Sequence, residues 1–156
     1  VVRGGAAWKI VRGLGRTGDS VAIYPPTMAR IEVAKLASIA PRLDYKRTFP
    51  TSGDLPVTIY LIPTQPIQAG RGLRFGLGID DVAPQEVIVN VRDGSAEWAQ
   101  GVLNATVTGS ATLRLKTPGE HVLHLYGEDA GVVVDKIVID CGGLRPSYLG
   151  PPDTRE

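Results

Sequence analysis

The chain has 156 residues, with 17 Lys and Arg against 16 Asp and Glu for a formal net charge of +1. That balance gives no bulk field to draw a phosphate backbone or an anionic bilayer, so neither nucleic acid nor membrane is an expected partner. One domain fits the length, the lone Cys141 excludes an internal disulfide and any multi-cysteine metal site, and 19 Gly with 12 Pro forecast many short strands between turns.

Strand-like runs open the chain at 7–11 and 20–24, with Trp8 placed as a core residue. Between them Gly13, Gly15 and Gly18 spell the dinucleotide-binding spacing. That fingerprint needs a helix next, because the helix amino end holds the pyrophosphate. Here an alternating run stops at Pro25 and Pro26, so a second strand follows and the glycines read as a strand connection. Residues 28–39, where Ile31, Val33 and Leu36 fit neither period, read as a loop with irregular turns.

Strands are then predicted at 42–49, 56–62, 72–79 and 85–91. One helix interrupts them at 93–105, with Ser95 as cap, Glu97 in its first turn, and Trp98, Val102 and Ala105 on one face. Three more strands follow at 106–115, 121–126 and 132–139. The whole predicts an all-β jelly-roll sandwich of about nine strands with one short helix. Its domain covers 1–143, and the proline-rich tail 144–156 reads as a linker leaving it. No apolar run reaches the ~20 residues of a membrane span. Without an initiator methionine or a signal peptide, the chain reads as a mature protein or as a piece of a larger one.

The residues that carry chemistry are few. His121 and His124 lie three apart on a strand, on opposite faces, and so cannot share a metal. Glycosidases need two carboxyl groups across the scissile bond, but the adjacent pairs Asp80–Asp81 and Glu128–Asp129 read as solvated turn-formers. Asp135 shares a face with Val133, Ile137 and Ile139, which points its carboxylate inward as a structural group met by backbone amides or an arginine. Asp140, at the same strand's end, is the freer acid and a weak candidate metal ligand. Sugar rings stack on aromatic side chains, and Trp98, with Asn104 and Asn90 near it in sequence, is the best-placed platform.

The segments GLGRTGDSVAIYP (13–25), APRLDY (40–45), RGLRFGLGIDDVAPQEV (71–87) and WAQGVLN (98–104), with the closing run PGEHVLHLYGEDAGVVVDKIVIDCGGLRPSYLGPP (118–152), resemble in order and spacing the C-terminal domain of glycoside hydrolase family 115, the xylan α-glucuronidases. GEHVLHL and VVVDKIVI are also similar to the last strands of carbohydrate-binding module families 6 and 35. The resemblance implies a non-catalytic accessory module, secreted or periplasmic. Its partners would be xylan or glucuronoxylan of the plant cell wall and catalytic domains upstream.

Ligand contacts are then expected from Trp98 and Asn104, with Tyr24, and with Arg16 pairing with a glucuronic carboxylate from its glycine-rich turn. In the related modules an acidic motif on the first strand holds a structural calcium. This chain starts after that position, so the calcium site is expected to be incomplete. Family 6 modules carry Asn two residues before the last-strand Asp. Val133 stands there instead, which favours a rival reading, a docking or dimerisation domain that binds no sugar.

Overall fold

The computed structural model describes residues 1–67, 72–89 and 92–154. Asn90 and the end of the strand expected over 85–91 lie outside the described residues. Nine strands stand among those described: β1 (Ala7–Val11), β2 (Ser20–Tyr24), β3 (Arg42–Phe49), β4 (Gly53–Leu61), β5 (Leu73–Ile79), β6 (Gln85–Val89), β7 (Val107–Leu115), β8 (Gly119–Gly127) and β9 (Val133–Ile139). They form two antiparallel sheets, ordered β1-β2-β9-β4-β7 and β3-β8-β5-β6. The all-β sandwich expected from the sequence is what forms.

Alternation drives the packing. In β4, Leu55, Val57, Ile59 and Leu61 are buried while their neighbours are less so, and they meet Phe75, Leu77, Leu113, Leu123 and Leu125 in one core cluster. Each such Leu or Phe contributes about 2 to 3 kcal/mol on burial. Trp8 joins this core and donates its indole N–H to the Pro41 carbonyl at 3.2 Å.

Residues 28–39 are more ordered than the sequence pattern suggested. A 3-10 turn, Val33–Lys35, runs into one turn of helix, α1 (Leu36–Ile39). Leu36, Ala40 and Tyr126 form a second, smaller cluster on the outer face of the four-stranded sheet. Gly76 makes room for it, because a Cβ there would stand 2.7 Å from Leu36 Cδ1 and 3.1 Å from Tyr126 Cβ. A period-2 pattern cannot announce such a contact, since Leu36 finds its partner through a glycine on a distant strand.

The chain crosses from β2 to β3, from β4 to β5 and from β8 to β9 at the same end of the sandwich, and the segment carrying α2 (Ala96–Leu103) joins β6 to β7 there. Gln65 Nε2 on the β4–β5 connection donates to Asp93 Oδ1 at 3.1 Å, tying two of these connections together. Residues 144–154 form no strand or helix, yet they lie against the sheet. Lys136 Nζ donates to the Pro151 carbonyl at 3.0 Å, and Tyr148 stacks under the Arg16 guanidinium at 4.4 Å.

Candidate functional site

The end where these connections gather holds a small pocket of about 60 Å³, lined by Pro26, Met28, Arg30, Ile67, Leu73 and Asp129 among others. Arg30 is its fixed cation. Its Nε and Nη2 donate to Glu128 Oε1 at 3.0 and 2.8 Å, and Nη2 also reaches Glu86 Oε1 at 3.2 Å. Arg74 Nη1 donates to the same Glu86 oxygen at 3.3 Å. The four side chains form a ladder across β5, β6, the end of β8 and the β2–β3 connection.

Glu128 is fully buried, and Ile31 N–H donates to its backbone carbonyl at 3.1 Å. Burial pushes its carboxyl up from 4.5 to about 7 against the pull of Arg30, and the neighbouring Glu86 pushes the same way. Bonding to Glu128 in turn holds the Arg30 guanidinium above its ordinary range. Glu128 and Asp129 are therefore not the solvated turn-formers the sequence suggested. Adjacent acids are usually solvated, but here the β2–β3 connection covers the outer face of the sheet and shuts both inside. The sequence trace is the mostly apolar run Val122–Tyr126, broken only by His124, that leads β8 up to Glu128.

The residues expected to meet a sugar do not all converge. Trp98 sits in the first turn of α2, held by its own N–H donating to the Ser95 cap Oγ at 3.1 Å. The ring is half-buried, and its Nε1 is sealed from water without an acceptor among the described residues. Helix α2 docks through Gly101, where a Cβ would stand 2.7 Å from Val107 Cγ1, and so Val102 faces outward rather than joining Trp98 on a buried face. Asn104 follows α2 and accepts from Gln100 Nε2 at 3.1 Å. Tyr24, at the end of β2, is exposed, with Lys9 Nζ 5.4 Å above its ring. These three stand at the same end of the sandwich as the pocket, Tyr24 on β2 and the other two with α2 against β7, with β9 and β4 between those strands.

Arg16 does not. It lies on the β1–β2 turn, past the Val11–Ser20 pair and so at the opposite end of the sandwich from Tyr24 and α2. Its backbone N–H donates to Asp135 Oδ2 at 3.3 Å. Asp135 occupies a bulge: Tyr60 pairs with Lys136 but Leu61 pairs with Val134, leaving Asp135 as the extra residue. The bulge breaks the face shared with Ile137 and Ile139, so the carboxylate turns to the β1–β2 turn instead of the core. The expected backbone donor is there, but the inward orientation is not.

The three glycines of the fingerprint form a tight turn, with Gly15 N–H donating to the Gly18 carbonyl at 2.8 Å. Asp19 closes it by accepting from Gly13 N–H at 2.9 Å. Asp140 accepts from Gly142 N–H at 2.8 Å, as an acid that ends a strand does. His121 pairs with Asp80 and His124 with Asp44, each at 2.6 Å, on opposite faces of β8. Asp80 Oδ1 also accepts the Val122 N–H at 2.9 Å. Among the described residues no three His, Cys, Asp or Glu side chains are grouped to hold a metal.

The sequence matches the model of the glycosyl hydrolase family 115 C-terminal domain over residues 1–153. No curated protein matches it. Among solved structures it is similar to BtGH115A, a family 115 4-O-methyl-α-glucuronidase with specificity for decorated arabinogalactans. The identity is 20% and the TM-score 0.66, over 85% of this chain and 16% of that one. A family 35 carbohydrate-binding module from Clostridium thermocellum aligns at 14% identity and TM-score 0.55, over 89% and 90% of the two chains. The exo-β-1,3-galactanase of Phanerochaete chrysosporium aligns at 12% identity and TM-score 0.53, over 88% of this chain and 26% of that one. The chain thus spans about one sixth of the BtGH115A chain it resembles, and these identities speak for the fold.

Proposed function

The chain belongs to the glycosyl hydrolase family 115 C-terminal domains, and on that footing we propose that it is a non-catalytic accessory module that holds a cell-wall-degrading enzyme weakly on an acidic plant glycan, glucuronoxylan in the first instance. The observation that carries this reading is that Trp98, Asn104 and Tyr24 stand at the same end of the sandwich as the Arg30-lined pocket, spread between β2 and β7. An indole supplies the stacking face for a sugar ring, the amide and phenol meet hydroxyls, and a guanidinium attracts a uronate. That end leaves Arg16 outside, so Arg30, whose Nη1 makes none of the bonds to Glu128 and Glu86, replaces it as the cation proposed to face the uronate.

A single stacking contact with a few exchanged hydrogen bonds supplies about 4 to 7 kcal/mol, which corresponds to a dissociation constant on the order of 10 μM to 1 mM. Affinity electrophoresis of the isolated chain in gels containing glucuronoxylan, arabinoxylan, arabinogalactan or a cellulose derivative tests the reading. Retardation by the uronate-bearing xylan above the neutral controls is expected. The specificity of BtGH115A for decorated arabinogalactans makes that polymer the second glycan in line. No retardation in any gel would leave the docking reading, for which Val133 at the family 6 asparagine position already argues.

A further inference from the structure

We infer that β9 carries an open strand-addition site, beside its residues Asp135 to Ile139, that accepts an extended polypeptide segment with apolar side chains at alternate positions. β2 pairs β9 only at Val21 with Val134 and Ala22 with Val133, and the chain before Ser20 peels away into the β1–β2 turn. Below Val134, β9 has β4 on one side and, among the described residues, no strand on the other.

The hydrogen-bonding parity says which groups are left over. Asp140 N–H donates to the Pro56 carbonyl at 2.9 Å, so Pro56 with Asp140 is a hydrogen-bonded position of the antiparallel ladder. Counting back in that register makes Val138 and Lys136 the next such positions, and places the backbone groups of Ile137 and Ile139 on the side away from β4. Among the described residues no backbone partner meets them there. Unpaired edge groups of this kind are a template for another strand.

A gap of about 570 Å³ opens along the same edge. Ile137 and Ile139 line it from β9, with Tyr45 and Phe49 from β3, Leu123 from β8 and Cys141 beyond the strand. Burial pushes both the Tyr45 phenol and the Cys141 thiol up. Ser20, 1% exposed, stands at the head of the gap with its hydroxyl unbonded. The walls call for apolar side chains on one face of the incoming segment, while its backbone meets Ile137 and Ile139. A sugar chain offers neither the alternation nor the paired N–H and C=O groups.

The chain's own tail does not fill this role. Pro151 and Pro152 reach the rim without an N–H to give, and Leu144, Asp153 and Thr154, which also line the gap, make no backbone hydrogen bond to β9 among the described residues. This inference stands whether or not the module binds glycan.

The test uses amide hydrogen exchange, followed residue by residue by NMR on the ¹⁵N-labelled chain. The probe is an eight-residue peptide alternating valine and threonine between terminal lysines, at concentrations up to about 1 mM. Without peptide, the Ile137 and Ile139 amides should exchange at least tenfold faster than those of Lys136 and Val138. The peptide should slow both by tenfold or more, and a version N-methylated at alternate residues should not. Ile137 and Ile139 already as protected as their neighbours, no protection at the highest concentration, or equal protection by the N-methylated peptide would each overturn the inference.

Discussion

Arg30 and Glu128 are joined by two bonds to one carboxylate oxygen, at 3.0 and 2.8 Å, with the acid fully buried. This pair fastens the β2–β3 connection to the end of β8, and with Glu86 and Arg74 it ties together the end of the sandwich that carries the Arg30-lined pocket. Its chemistry makes stability depend on pH. Glu128 titrates at about 7 when folded against an ordinary 4.5, so between those values the folded chain holds a proton the unfolded chain has lost. That contribution is complete below 4.5 and is lost as pH rises through 7.

Urea denaturation at pH 5.5, 7 and 8 should therefore show stability falling by on the order of 2 kcal/mol over the range. The raised titration of His121, held up by Asp80 and the Thr117 carbonyl, adds a fall in the same direction. Glu128→Gln isolates the larger part and should flatten the profile. An equally steep profile in the variant would assign the slope elsewhere.

Asp135→Ala should cost about 1 kcal/mol, the worth of one hydrogen bond, because the carboxylate is half-buried and accepts a single backbone N–H. A loss of 3 kcal/mol or more on thermal or chemical denaturation would mean that the carboxylate is an inward, fully desolvated group after all.

Gly76→Val should destabilise the chain by roughly 1 to 3 kcal/mol, since its side chain would overlap Leu36 and Tyr126 and lift α1 off the sheet. Loss of protection at Leu36 and Ala40 before global unfolding is the expected signature. An unchanged melting point would show that α1 contributes little to stability.

Much of the sandwich was legible because period-2 alternation marks every strand that buries one face. β1, β2 and β3 begin and end where the alternation does. The helix was legible from its cap, since Ser95 bonds Trp98 N–H. What escaped was set by contacts far apart in sequence. The burial of Glu128 depends on Arg30, the helical turn at Leu36 depends on Gly76, and the direction of Asp135 depends on one extra residue opposite Tyr60 and Leu61. The site was half legible for the same reason. Residue type singled out Trp98, but only the register of β1 with β2 shows that Arg16 hangs from the wrong turn.

Trp98→Ala should abolish retardation on glucuronoxylan while leaving the melting temperature nearly intact, because the ring is only half-buried. Unfolding of that variant would make Trp98 part of the core and move the proposed platform elsewhere.

The central claim is that this family 115 C-terminal module grips an acidic glycan without acting on it. Isothermal titration of the purified chain with aldouronic-acid xylo-oligosaccharides, run beside an assay for released glucuronic acid, tests both halves at once. The account predicts saturable binding with a dissociation constant on the order of 10 μM to 1 mM and no release. Release of glucuronic acid, or the absence of any binding heat at millimolar ligand, would contradict it.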